Sequence, residues 1–240
     1  MSLRDTNIDR MRDGVVDVAI IGGGINGAVT AASLAGRGAS VALVDRADFA
    51  SETSQQSSNL VWGGFKYLEN YELPLVYKLC QSRNRLMKAY PDNVAELSFL
   101  AALDDSSPYP PWFAALGATA YWGIGRFRTR SPRLLSAEAI KDTEPAIDIS
   151  GVRGGIEYRD AYLRDNDARF VFGFVRSAIE SGAAVANYVE LTDARRVDRH
   201  WLVGLHDLES GERFEMRART LVNDAGPYVD GLHSDWGVNT

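Results

Sequence analysis

The chain has one cysteine, Cys80, four lysines and three histidines in 240 residues. A lone thiol cannot build an internal disulfide framework, so cross-links are excluded as a source of stability and a reducing compartment is the fitting environment. His200, His206 and His233 lie without acidic or cysteine partners at ligand spacing, so no metal centre is expected. No apolar run reaches the roughly 18 residues of a membrane span, and no signal-peptide pattern precedes the first apolar stretch. There is no internal repeat, no Gly-x-Ser-x-Gly elbow and no Cys–His pair, which removes collagen-like and coiled-coil classes and leaves no sign of a nucleophilic hydrolase. Basic residues are outnumbered, 26 against 32 acids for a net charge of −6, which argues against a nucleic-acid-binding surface. What is abundant is apolar content, 45% of the chain. At about 150 residues per domain the length gives one large domain or one and a half, enough to bury about 70% of the unfolded surface. The class left is a soluble or peripheral enzyme.

Along the chain, residues 1–14 are polar and read as a flexible arm. Residues 15–21 (Val-Val-Asp-Val-Ala-Ile-Ile) form an apolar run suited to a strand buried on both faces of a parallel sheet. Three glycines follow directly, then an Ala-rich helical stretch over residues 25–37 stopped by Gly38, then a second buried strand over 41–44 ending on Asp45. Strand, glycine turn, helix, strand is a βαβ unit. Pro74 opens a helix that Pro91 stops, Ser136 caps another, and residues 165–181 are amphipathic up to Gly182. Residues 156–158 read as a short strand; residues 184–188, 201–208 and 214–219 read as three more, and 221–223 as a final buried one. The fold class is α/β, a Rossmann-like βαβ domain with an inserted cap region. The expected division is an arm (1–14), a dinucleotide domain with its loop (15–72), a helical cap (73–152) and a return of the first domain (153–240). Residues 110–130 carry Trp112, Phe113, Leu116, Tyr121, Trp122, Ile124 and Phe127 with Arg126, Arg128 and Arg130 on the flank, the composition of an exposed interfacial segment. Packing over an active site or at a dimer contact fits the same residues.

The chemical signal is Gly22-x-Gly24-x-x-Gly27. Gly22 permits the tight turn, Gly24 lets the backbone approach a diphosphate, and Gly27 lets the helix lie close to the strand. The helix N-terminus offers unpaired amides and a positive dipole end to the anion. Asp45, 18 residues beyond Gly27, is placed to accept from ribose hydroxyls and repels a 2′-phosphate. These residues predict dinucleotide binding; NAD and FAD both satisfy the pattern. The polar run from Thr53 to Asn59 adds hydroxyl donors, and Gly63-Gly64 permits close approach to a flat ring or a plain turn.

With Ile20-Ile21-Gly22-Gly23-Gly24-Ile25-Asn26-Gly27, Thr53-Ser54-x-x-Ser57-Ser58-Asn59-Leu60, Gly63-Gly64-x-Lys66-Tyr67-Leu68-Glu69, Tyr158-Arg159-Asp160-Ala161 and Leu221-Val222-Asn223-Asp224-Ala225-Gly226-Pro227 in hand, the chain resembles the FAD-dependent glycerol-3-phosphate dehydrogenases, within the D-amino-acid-oxidase-like flavoproteins. The resemblance implies an FAD contacted by Gly22, Gly24, Ile25, Asn26, Gly27, Asp45, Arg46, Thr53, Ser54, Ser58, Asn59, Leu60, Gly63, Gly64, Val189, Ala225 and Gly226. It implies Lys66 and Tyr67 at the substrate, oxidation of sn-glycerol 3-phosphate to dihydroxyacetone phosphate, and a quinone acceptor. A cytoplasmic protein follows, peripheral on the inner face of the cell membrane through residues 110–130. Three departures bear on the substrate: Trp62 stands where the family has His, Asn59 where it has Lys, and Lys66 where it has Arg, keeping the charge without the bidentate fork. Another hydroxy or amino acid as substrate, and a non-catalytic dinucleotide-binding module, are the rival readings. The chain reads as the N-terminal half of such a protein, truncated in a loop-like 237–240 and inactive alone.

Overall fold

The computed structural model describes residues 2–229; His233 and the loop-like residues 237–240 lie outside them. In chain order the elements are α1 (Leu3–Arg12), β1 (Val15–Ile21), α2 (Ile25–Ala35), β2 (Val41–Val44), β3 (Leu60–Val61), α3 (Leu73–Ala89), β4 (Val94–Leu103), α4 (Pro111–Ile124), β5 (Arg133–Leu135), α5 (Ala137–Thr143), β6 (Gly154–Leu163), α6 (Asp167–Glu180), β7 (Ala184–Ala186), β8 (Val189–Val197), β9 (His200–Asp207) and β10 (Arg213–Asn223). The chain divides into two compact units, Met1–Ser57 with Asn166–Thr240, and Ser58–Asp165. The expected boundaries at 72/73 and 152/153 therefore move. The two-residue strand β3 pairs with the far end of β6, Leu60 opposite Tyr162, which draws the segment after Ser57 into the second unit.

The first unit is a six-stranded sheet in the order β7-β2-β1-β10-β9-β8. β7, β2, β1 and β10 run parallel, as buried strands joined through helices must. β9 and β8 extend the sheet antiparallel by hairpins. One face packs Ile20, Val41 and Leu43 against Ala28, Ala31 and Ala35 of α2 and Val171, Val175 and Ala178 of α6. The alanines bring helix and sheet close, and Gly182 (φ +93°) ends α6 in the left-handed conformation that favours glycine. β8 escaped the sequence reading because Glu190, Asp193, Arg195 and Arg196 hide its period, and a bulge between Leu191 and Asp193 breaks its register. Residues 221–223 are not a separate buried strand: they are the half-exposed end of β10.

The arm read over residues 1–14 is also corrected. Ser2 and Asp5 form a reciprocal capping box, and Ile8 and Met11, one helical turn apart, are both buried in the core on the opposite face of the sheet. Asn7 is buried as well, its amide donating to Val185 O at 3.0 Å. Arg4 ties the helix down through both oxygens of Asp207 and through Asn187 O. Together with Ser210 and the Glu209 amide, that guanidinium holds the Asp207 carboxyl well below the usual carboxylate range. A depressed folded pKa stabilises at and above the ordinary Asp value and is lost as the pH falls below it. Asp207→Asn is expected to cost about 2 kcal/mol at pH 7, as a lost charged hydrogen bond would, and to flatten the loss of melting temperature between pH 4 and 2. Parallel wild-type and variant melting curves across that window would contradict the assignment.

The second unit is antiparallel, β3-β6-β4 with β5 also on β6. β6 runs ten residues where the sequence suggested three, and all ten pair with β4, which has no clean alternation. α3 and α4 contribute Val76, Cys80 and Tyr121 to a core that includes Phe65 and Tyr158, their rings stacked at 4.4 Å. Of the interfacial residues expected over 110–130, Trp112 (63%), Leu116 (60%) and Phe127 (64%) are the most exposed, whereas Tyr121 is buried and is withdrawn from that set. Among the described residues no helix is long and apolar enough to cross a membrane.

Candidate functional site

A cleft of about 360 Å³ opens at the carboxyl ends of β1, β2 and β10, where open α/β sheets bind their ligands. β1 ends in the glycine turn. Gly22 adopts φ +111°, and a Cβ there would lie 2.4 Å from Asp224 O, so only glycine permits the turn so near β10. A Cβ on Gly27 would lie 1.9 Å from Gly22 O, so the third glycine sets the approach of α2 to β1. Gly24 caps α2 in extended conformation without a side-chain acceptor. The first helical turn therefore faces the cleft with amide donors, of which Ile25 N reaches Ser54 Oγ at 3.0 Å.

Asp45, just past β2, takes Gly23 N at 2.6 Å and Ala47 N at 2.8 Å. Burial raises its pKa, and these two amides and Arg46 work against that rise. Val189, fully buried at the start of β8, donates its amide to Asp45 O. Arg46 lies 3.9 Å over the Tyr228 ring. The cleft thus gathers Gly22, Gly24, Ile25, Asn26, Asp45, Arg46, Thr53, Ser54, Val189, Ala225 and Gly226, with Gly27 beneath the turn.

The comparisons with known proteins bear on this cleft and its fold. The FAD dependent oxidoreductase (DAO) family matches residues 17–238. The chain belongs to that family. Relatives of this DAO-family chain include the aerobic glycerol-3-phosphate dehydrogenase of Escherichia coli (strain K12), 34% identical over 92% of this chain and 44% of the relative. The D-erythritol 1-phosphate dehydrogenase of Brucella abortus (strain 2308) is 35% identical over 91% and 43%. Among solved structures, the glycerol-3-phosphate dehydrogenase from Bacillus halodurans complexed with FAD shares the fold at TM-score 0.74 and 24% identity, over 97% of this chain and 38% of that one. The DAO-family chain spans about two fifths of the length of the curated relatives it matches.

FAD is the family's cofactor, and the donor set fits it: amides at a helix N-terminus for a diphosphate, a carboxylate beside them for sugar hydroxyls. A further feature of the cleft points to a ligand. Asp224 Oδ2 is buried with no hydrogen-bond partner among the described residues, and burial raises the carboxyl's pKa. In the sequence Asp224 is only one residue of the Leu221-to-Pro227 motif and carries no role of its own; its charge at the end of a strand was the available signal.

The other expected site residues, Ser58, Asn59, Leu60, Gly63, Gly64, Lys66 and Tyr67, belong to the second unit. Lys66 and Tyr67 are exposed on a single 3-10 turn (Phe65–Leu68), and the Tyr67 ring lies 5.9 Å from that of Trp62. Behind this turn Asp160 accepts from Gly63 N (3.0 Å), Arg83 Nη1 (2.9 Å) and the Tyr121 hydroxyl (2.9 Å), all buried. Burial and the Asp160 carboxylate push the Tyr121 phenol far above its ordinary value, so it stays protonated and donates. A Cβ on Gly63 would lie 2.0 Å from the Tyr121 oxygen. Gly63 is therefore required by the buried network itself.

Proposed function

We propose that the chain carries the FAD-binding part of an oxidoreductase that removes hydride from the secondary alcohol of a polyol phosphate, sn-glycerol 3-phosphate first, giving dihydroxyacetone phosphate. The observation that carries the reading is the cleft, in which the glycine turn, the α2 amides and Asp45 converge. Relatives named for glycerol 3-phosphate and erythritol 1-phosphate, at 34% and 35% identity, support the substrate class. FAD, when bound, supplies the hydride acceptor. The chain's own groups bind and orient. The α2 amides and Gly24 take the diphosphate, and Asp45 accepts from the adenosine ribose. Arg46, Thr53, Ser54, Val189, Ala225 and Gly226 line the remainder of that site; Ser58, Asn59, Leu60, Gly63 and Gly64 are the further cofactor contacts that the family resemblance implies. Lys66 pairs with the substrate phosphate as a point charge, and Tyr67 orients the substrate beside it.

Electrons leave to a quinone at the cytoplasmic face of the cell membrane. The exposed Trp112, Phe113 and Leu116 of α4 are the proposed peripheral contact.

The test is anaerobic bleaching of the flavin absorbance of the FAD-loaded protein by glycerol 3-phosphate, erythritol 1-phosphate, lactate and amino acids. Bleaching by the phosphates alone is expected. Bleaching by lactate or an amino acid in preference would overturn the substrate class, and failure to retain FAD would leave the non-catalytic reading.

A further inference from the structure

Two carboxylates flank the glycine turn, on opposite sides of β1. The strand order β2-β1-β10 sets Asp45 after β2 and Asp224 after β10, with Gly22 between them. At about 4.8 Å per strand spacing the two acids stand roughly 10 Å apart at the sheet's edge. Their hydrogen bonding differs. Both Asp45 oxygens already hold backbone amides, Gly23 N and Ala47 N. Asp224 is anchored only by its main chain: its amide donates to Ile21 O at 2.8 Å, and its carbonyl crowds Gly22. Asp224 lines the cleft, and its Oδ2 is buried without a donor among the described residues. Burial raises its pKa, and among the described residues no cation is recorded beside it. An orphaned carboxylate oxygen of this kind destabilises the folded chain unless something donates to it. A strand end lining a ligand cleft is where that donor arrives with the ligand.

We infer that Asp224 is the acceptor for the hydroxyl-bearing ribityl chain of the flavin half of the cofactor. This rests on the cofactor reading above. A dinucleotide whose diphosphate sits on the Gly22–Gly24 turn has one half on either side of β1. The fingerprint assigns the adenosine half to the Asp45 side. The other half then runs toward β10, where Asp224 meets it. Diphosphate oxygens are acceptors and offer the carboxylate nothing; the hydroxyls of a sugar-alcohol chain are donors. The assignment also gives the two acids separable roles, one for each half of the molecule.

ADP separates them, because it contains the adenosine half and no ribityl chain. Binding of FAD and of ADP is measured by titration calorimetry on the intact chain and on its Asp224→Ala, Asp224→Asn and Asp45→Ala variants. For Asp224→Ala the FAD dissociation constant is expected to rise at least tenfold while that for ADP stays within twofold. Retained ADP binding also reports that the variant is folded. Asp224→Asn keeps one acceptor oxygen and is expected to fall between. Asp45→Ala is expected to weaken both ligands. Unchanged or tighter FAD binding by Asp224→Ala, or equal losses for FAD and ADP, would overturn the inference while leaving the cofactor reading intact. A wild-type chain that binds ADP and not FAD would bring down both.

Discussion

Replacing Asp160 by alanine is expected to cost residues 58–165 about 3–5 kcal/mol, the range for removing one partner of a buried ion pair. Three donors converge on that carboxylate, the Arg83 guanidinium, the Tyr121 hydroxyl and Gly63 N, and all are out of water. The variant leaves an uncompensated guanidinium in the core and a backbone amide with no acceptor. Arg83→Ala is expected to cost a similar amount by the mirror argument, leaving the carboxylate unpaired. The combined Arg83→Met/Asp160→Leu variant should be less damaged than either single change, because no buried charge is left over, although Gly63 N still loses its acceptor. Urea unfolding followed by fluorescence reads this out, since three of the five tryptophans, 62, 112 and 122, lie in this unit. A loss below about 1 kcal/mol for Asp160→Ala, the scale of a surface pair, would mean that water reaches the site. The same variants should free the turn that presents Lys66 and Tyr67, because Gly63 N and O are held by Asp160 and Cys80 respectively.

Gly27→Ala is the second large effect, and it acts on the cleft itself. The added methyl would fall 1.9 Å from the carbonyl oxygen of Gly22, and neither group is a flexible side-chain end that can swing aside. Relief requires α2 to move off β1, which opens the contacts of Ala28 and Ala31 with Ile20. A stability loss of about 3 kcal/mol, the upper end of ordinary overpacking, is expected. Displacing the first turn of α2 also moves its amides off the diphosphate. Losing two charge-assisted hydrogen bonds at about 1.5 kcal/mol each predicts FAD affinity lower by roughly 100-fold. Gly24→Ala is the control for stability alone, because its methyl would meet only Ser54 Oγ at 3.1 Å and a serine rotamer can yield, whereas its place at the diphosphate excludes it as a control for affinity. Equal FAD affinity in Gly27→Ala and wild type would show that the helix can retreat without carrying the site with it.

The first βαβ unit was legible because every feature that builds it is local. A continuous apolar run, three glycines at turn and packing positions and an Ala-rich helix each state their conformation within about fifteen residues, and the observed β1, α2 and β2 follow them closely. Ser136 as a helix cap and Gly182 as a helix stop were readable for the same reason. The family resemblance added which dinucleotide, through motifs that composition alone leaves ambiguous between NAD and FAD.

What the sequence could not show are the contacts made by distant residues whose local signals are weak or contrary. α1 is polar along most of its length, and only docking of Ile8 and Met11 and the bond from Arg4 to Asp207, 203 positions away, makes it part of the core. β4 carries no period of two, because pairing along all ten residues of β6 specifies it instead. Arg83, Tyr121 and Asp160 lie on α3, α4 and β6, separated by 38 and 39 residues, and only the packing of those elements makes them one network and gives Gly63 its reason. Asp224 shows the limit most directly. As a letter it is an ordinary acid in a turn, and it comes to line a cleft, with one buried oxygen unpaired among the described residues, only because β10 lies beside β1. Chain-local sterics and periodicity determined the glycine turn and its cofactor class, while burial, which depends on what arrives from elsewhere in the chain, decided which charges are paired and which one is left for a ligand.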